Sequence, residues 1–198
     1  IGLFEIRRMR LCHAIGRSTN MSIETPFIRC VGVSKNIGRK TVLDGFSYSI
    51  GSGAHALIGK NGVGKSTLLS ILAGIVRPDG GEIHVNGHDL EKNAVWAKRS
   101  LSFVPDKPAA YDFMSGQEFL NLILVCMHIK HSEELAELLD QFGLRYFLHK
   151  PFGQMSFGVQ RKFSIVAGLI GGPSIVLMDE PSNGLDQRSH HLLIEYIN

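Results

Sequence analysis

The sequence is poor in cysteine: Cys12, Cys30 and Cys126 are the only three among 198 residues. Thiols so few and so scattered exclude a disulfide framework and a C-x-x-C metal site, and they fit a reducing, cytosolic setting. Long apolar runs are also lacking. The longest, Phe119 to Ile129, is interrupted by Asn121 and His128 and falls far below the ~20 residues that span a bilayer. Charge of one sign accumulates only in residues 1–20, where Arg7, Arg8, Arg10 and Arg17 stand against Glu5; the remainder balances 17 basic with 17 acidic residues. A general electrostatic footprint for nucleic acid is therefore missing outside that stretch, and no nucleic-acid partner is expected. Internal repeats and low-complexity tracts are absent too. With 44% hydrophobic and 20% charged residues, the composition excludes disorder over most of the length.

Glycine is abundant, with 22 residues against a usual share of ~7%, so tight turns or close backbone approaches are expected. Residues 1–20 carry no clear period, and Met21 reads as a native start, which makes 1–20 a leader outside the fold. A targeting peptide is the alternative, weakened by Glu5 and the short length. From Phe27 to Ile50 the apolar residues alternate imperfectly, predicting antiparallel strands with a turn near Asn36–Lys40. Ala54–Ile58 reads as a buried strand running into glycines, and Ser66–Ala73 as a helix stopped by Gly74. Glu82–Val85 followed by Asn86-Gly87 reads as a hairpin.

Residues 115–150 predict a helical insert. Phe119, Leu122, Ile123 and Met127 share one helical face; Leu135, Leu138, Leu139 and Phe142 share another, with Ser132 as N-cap and Gly143 as stop. Ser164–Ile170 reads as helix and Ile175–Met178 as a short buried strand. Gln187–Asn198 reads as an amphipathic helix with Leu192, Leu193, Tyr196 and Ile197 inward; it runs to the last residue without a stop, so an ending in mid-domain is expected.

Two segments carry recognisable chemistry. Gly59-Lys60-Asn61-Gly62-Val63-Gly64-Lys65-Ser66-Thr67 fits G-x-x-x-x-G-K-[ST], a loop whose glycines let successive N–H groups turn inward around phosphate oxygens. Lys65 can neutralise β/γ-phosphate charge, and the Ser66 hydroxyl can ligate Mg²⁺. An accidental match is expected in roughly one chain in a hundred of this length, and here the loop also follows a strand and opens a helix. The second segment is Ile175–Met178 with Asp179 and Glu180 at its carboxyl end. A carboxylate there can hold Mg²⁺ directly or through water, and the next one can orient and polarise an attacking water.

Between and after these motifs lie Met155-Ser156-Phe157-Gly158-Val159-Gln160-Arg161-Lys162 and Pro181-Ser182-Asn183-Gly184-Leu185-Asp186. Taken in order, the four segments resemble the ATP-binding cassette (ABC) ATPases over roughly residues 27–198. The resemblance implies an α/β P-loop NTPase fold with a parallel core sheet, an antiparallel β subdomain and a helical subdomain (about 107–163) within an ABC ATPase domain spanning 21–198, C-terminally incomplete. It implies ATP and Mg²⁺ as cofactors, Glu180 as catalytic base beside Lys65, and Ser66, Asp179 and Asp106 as metal ligands. Ser156, Phe157, Gly158 and Val159 match the signature that closes over the ATP of a second cassette, and Asp186 matches the D-loop aspartate that bridges the two sites.

The function implied is ATP hydrolysis powering a membrane transporter, with a second ABC ATPase subunit and a separate integral membrane subunit as partners. The site of action would be the inner, cytoplasmic face of the cell membrane. Phe157 and Val159 depart from the usual LSGGQ and point towards the drug and antibiotic exporter branch. Ile37 stands where an aromatic ring usually stacks on adenine, which implies weakened or displaced base stacking. Asp106 replaces the Q-loop glutamine. The switch histidine expected on a later strand would lie beyond Asn198, because His190 and His191 follow Asp186 too closely; poor hydrolysis by the chain as written is therefore expected. Alternatives are a soluble ABC ATPase acting on ribosomes or DNA, and a regulatory or remnant cassette that binds ATP without driving transport.

Overall fold

The computed structural model of the chain describes residues 2–6, 27–129 and 133–197. Its strands are β1 (Gly2–Ile6), β2 (Ile28–Ile37), β3 (Lys40–Ile50), β4 (Gly53–Leu57), β5 (Gly80–Val85), β6 (His88–Asp89), β7 (Leu101–Val104) and β8 (Ile175–Met178). The helices are α1 (Lys65–Leu72), α2 (Ala94–Lys98), α3 (Gly116–Cys126), α4 (Glu133–Gln141), α5 (Phe157–Leu169) and α6 (Gln187–Ile197).

One sheet is antiparallel throughout, in the order β3-β2-β5-β6. Its first hairpin reverses at Gly38, where φ is +61°, and pairs Ile37 with Lys40 and Ile28 with Ile50. The imperfect alternation has a cause: the β2–β3 register shifts between Cys30 and Asn36, the signature of bulges. Their unpaired amides are satisfied by hydroxyls, Gly32 N–H donating to Ser47 Oγ at 2.8 Å and Gly45 N–H to Ser34 Oγ at 3.0 Å. Asn86 (φ +49°) and Gly87 (φ +79°) form the tight β5–β6 turn, matching the hairpin expectation.

The other sheet has the order β4-β1-β8-β7. β7 and β8 are parallel, in register from Leu101↔Ile175 to Val104↔Met178. β1 is antiparallel to both β4 and β8, so β4, β7 and β8 run the same way, as a parallel core requires, with β1 reversed among them. All of β8 is buried and its side chains alternate between two cores. Ile175 and Leu177 join α1 and the antiparallel sheet; Val176 and Met178 join the helical part. A strand covered on both faces reads as an unbroken apolar run, which is why Ile175–Met178 was legible.

Gly2–Ile6 corrects the expectation that residues 1–20 stand wholly outside the fold. Facing edges of β4 and β8 carry backbone groups that need partners, and β1 pairs with both. The Met21 start and the Ser132 cap lie outside the described residues.

Helices α3, α4 and α5 pack around Phe119, Leu138, Phe142, Phe152 and Phe163, all buried. A reciprocal cap starts α3: Glu118 N–H donates to Ser115 Oγ at 3.2 Å, and Ser115 N–H to Glu118 Oε2 at 2.8 Å. The inward face of α3 differs from the expected one. Phe119, Leu120 and Leu124 are buried, whereas Leu122 is 46% exposed. Gly116 sets this rotation, since a Cβ there would lie 2.4 Å from the Phe163 ring; α3 therefore approaches α5 along the Gly116–Leu120–Leu124 line. The expected face of α4 is the buried one, and in α6 Leu193 is buried with Leu192, Tyr196 and Ile197 packed beside it. Helix α5 begins well before Ser164, because Ser156 caps it. Buried Arg161 breaks the apolar pattern that would have announced its early turns. Among the described residues no helix is long and apolar enough to cross a membrane.

Candidate functional site: a phosphate-loop cleft and the loops behind it

The loop after β4 takes its shape from glycine. Gly62 and Gly64 have φ of +75° and +110°, and a Cβ on Gly64 would sit 2.4 Å from Val42 Cγ1. Gly64 is also the N-cap of α1 and supplies no side-chain acceptor, so the first N–H groups of α1 remain available to an anion. Lys65 is buried; its ammonium donates to the carbonyls of Gly59 at 2.9 Å and Lys60 at 3.1 Å. Lys40, on the β3 side, donates to Gly62 O at 3.0 Å. These contacts hold the loop open around a cleft of about 490 Å³.

Asn61, Gly62, Gly64, Lys65, Ser66 and Thr67 line that cleft, and Glu180 faces them across it. Gly59, Lys60 and Val63 belong to the same loop without lining the cleft: the first two hold Lys65, and Val63 is largely exposed. Ile37, together with Lys40 and Val42, forms another wall. An exposed aliphatic residue thus stands beside the loop, on a strand whose neighbours offer Lys40 and Val42 as additional ligand-facing groups that the motifs did not reveal.

β8 delivers two carboxylates with different environments. Asp179 is buried, its N–H donating to Val104 O at 2.9 Å. Its Oδ1 is buried and has no hydrogen-bond partner among the described residues. Such an oxygen calls for a cation or a polar group to compensate its desolvation. Its carboxylate and the Ser66 hydroxyl, which lines the cleft, are both hard oxygen donors of the kind Mg²⁺ takes. Glu180 adopts φ +46°, a left-handed conformation that non-glycine residues rarely take, and this turn directs it into the cleft. Asp106, after β7, does not line the cleft; its Oδ1 accepts a hydrogen bond from Asn183 Nδ2 at 2.9 Å.

The signature segment and the D-loop are packed on each other. Ser156 caps α5, accepting from Val159 N–H. A Cβ on Gly158 would be 2.5 Å from Gly184 O, and one on Gly184 would be 2.5 Å from the Phe157 ring. Lys162 forms an ion pair with Asp186 at 2.5 Å, and Asp186 Oδ1 also accepts from Ser189 N–H at 2.8 Å, capping α6. The Lys162 ammonium and then that N–H hold the Asp186 carboxyl down to about 2. None of residues 156–159 lines the phosphate-loop cleft; they form a separate surface at the start of α5. His190 and His191 lie on α6, where His191 Nε2 is 3.5 Å from Glu195 Oε1.

Glycine-rich loop, helix N-terminus and paired strand-end acids define an α/β nucleotide-binding domain of the P-loop NTPase class. The family profile described as ABC transporter matches residues 43–183, and the chain belongs to that family. It is 31% identical over 174 residues to the linearmycin resistance ATP-binding protein LnrL of Bacillus subtilis, a match covering 86% of this chain and 56% of the relative. It is 33% identical over 193 residues to the Nod factor export ATP-binding protein I of Sinorhizobium fredii, covering 93% of this chain and 56% of that protein. The chain thus spans little more than half the length of these curated relatives. A solved structure of the ATP-binding subunit of an ABC transporter aligns with TM-score 0.75 and 28% identity, over 87% of this chain and 73% of the other.

Proposed function

We propose that the chain is an ATP-binding and ATP-hydrolysing subunit that powers a membrane transporter, and specifically an exporter. One observation carries this reading: Glu180, from the end of β8, shares a single cleft with Gly62, Gly64, Lys65 and Ser66 of the phosphate loop. In that arrangement loop amides and Lys65 bind the phosphates, and Glu180 accepts hydrogen bonds from the attacking water and orients it. Ser66 and Asp179, with Asp106 as a further candidate ligand, would hold Mg²⁺, and that site would supply positive charge against the bound phosphates. Ile37 offers apolar contact to the base in place of ring stacking.

The partners in this reading are a second cassette and a separate membrane subunit. Ser156, Phe157, Gly158 and Val159 would close over ATP bound to the second cassette, with Asp186 between the two sites. The helical insert and the Asp106 segment would meet the membrane subunit at the cytoplasmic face of the membrane. Export is favoured by the relatives, one named for linearmycin resistance and another for Nod factor export.

Light scattering on Glu180→Gln in the presence of ATP and Mg²⁺ tests the cycle. The expected result is an ATP-stabilised dimer that persists for minutes, because binding is kept and turnover lost. A variant that stays monomeric, or that turns over ATP at the parental rate, would overturn the assignment of Glu180.

A further inference from the structure

Arg161 heads the largest side chains that are fully buried, at 0% exposure. It lies in the second turn of α5, and its guanidinium reaches four backbone carbonyls in two separate segments. Nη1 donates to Pro105 O and to Asp106 O, the latter at 3.1 Å. Nη2 donates to Asp179 O at 2.6 Å and to Glu180 O at 3.1 Å. These acceptors stand where the β7–β8 ladder stops: its last pair is Val104↔Met178, and Asp179 N–H to Val104 O is the last rung. Beyond it Arg161 bridges the two segments that follow these strands.

A buried cation is costly unless its surroundings compensate. Here desolvation pushes the guanidinium pKa down while the charges of Asp106, Asp179 and Glu180 push it up. Only a planar fork with five N–H donors can serve carbonyls on both sides at once. What it holds is specific, because Glu180 sits at φ +46° and a strained residue keeps its conformation only when neighbours over-determine it. Arg161 holds the carbonyls of the Asp179–Glu180 and Glu180–Pro181 peptides, the two that flank the Glu180 Cα, and so sets the angle at which the Glu180 side chain leaves the backbone.

We propose that Arg161 is a positioning residue for hydrolysis, locking the Glu180 backbone to the Asp106 segment and to the signature helix of the same chain. Movement of α5, or of the Asp106 segment, is thereby transmitted to the aim of Glu180 in its own cleft. Asn183 strengthens the link, because its amide ties the Asp106 carboxylate to the D-loop. This inference rests on the assignment of Glu180 as the water-orienting base.

The test compares Arg161→Gln, Arg161→Lys and Glu180→Gln in the full chain with its membrane partner, reading kcat, KM for ATP, the affinity for a fluorescent ATP analogue, and the melting temperature. Misplacing a catalytic group by about 1 Å costs on the order of 100-fold in rate. Arg161→Gln should therefore lose ten- to a hundred-fold in kcat, while KM and analogue affinity stay within about two-fold. Arg161→Lys, which keeps the charge but reaches fewer carbonyls, should recover part of the loss. Equal losses in kcat and in analogue affinity, or a kcat that falls only with the folded fraction, would overturn the proposal. If Arg161→Gln fails to fold, Arg161→Lys decides: parental kcat refutes, reduced kcat at unchanged KM supports. Parental turnover in Glu180→Gln would remove the underlying assignment and this proposal with it. Lost turnover in Glu180→Gln with parental kcat in both Arg161 variants would overturn the role of Arg161 alone.

Discussion

Gly158→Ala should push the signature segment away from the D-loop without removing a polar side chain from either motif. The added Cβ would lie 2.5 Å from Gly184 O, a backbone atom, and must retreat by about 0.5–0.9 Å to reach the 3.0–3.4 Å at which crowded contacts are tolerated. A side-chain end could swing aside, but a carbonyl moves only with its chain. Residues 183–186 would move with it, stretching the Asn183–Asp106 hydrogen bond and the Lys162–Asp186 ion pair. Overpacking of this kind costs about 1–3 kcal/mol. Replacing a helical glycine returns up to about 1 kcal/mol, and less at this position in the first turn of α5. The net expectation is a loss of about 1–2 kcal/mol. With a urea slope of about 2 kcal/mol/M, the unfolding midpoint should fall by roughly 0.5–1 M. Gly51→Ala is the control: no heavy atom lies within 4 Å of its added Cβ and its φ is not in the left-handed range, so its midpoint should match the parent's. Equal midpoints for Gly158→Ala and Gly51→Ala, at unchanged slope, would refute the packing argument.

Three further outcomes are expected. The folded-state pKa of Asp186, about 2, lies below its ordinary value of 3.8, so its ionised form adds stability above pH 4 that is lost as pH falls towards 2. Its side chain is 54% exposed, and screening reduces the contribution to about 1 kcal/mol or less; the midpoint difference between parent and Asp186→Asn should shrink between pH 5 and pH 3, and a constant difference would contradict the ion pair. Leu124→Ala should cost about 2–5 kcal/mol and Leu122→Ala below about 1 kcal/mol in equilibrium unfolding, because only Leu124 is buried; the reverse order would refute the observed face of α3. Burial pushes the Cys30 thiol up to about 11, whereas Cys126 is exposed. Alkylation at pH 8, read site by site by peptide mass spectrometry, should therefore be at least ~100-fold faster at Cys126, and equal rates would count against the placement of β2.

Local rules made much of the fold legible. The phosphate loop, the Gly38 reversal and the Asn86-Gly87 turn are short-range features, since a left-handed φ at a given position selects glycine or asparagine wherever the segment sits. The doubly covered strand β8 was equally plain, because burial on both faces leaves an apolar run. Amphipathic α4 and α6 announced their inward faces by spacing. Less legible were α2 and β7, each too short for periodicity to register, and the early turns of α5, where Arg161 interrupts the apolar pattern.

By itself, then, the sequence determined the loop that can bind phosphate, the two strand-end acids, and the elements that carry them, all of which depend on neighbours within a few residues. Tertiary structure alone decided how those acids differ. Asp179 points into a buried space where its Oδ1 has no hydrogen-bond partner among the described residues, while Glu180 turns through φ +46° into the cleft. It also decided that Asp106 meets Asn183, 77 positions away, and that Arg161 joins the ends of β7 and β8. Such contacts arise where three segments with no common period converge, so their partners are fixed by packing, not by spacing along the chain.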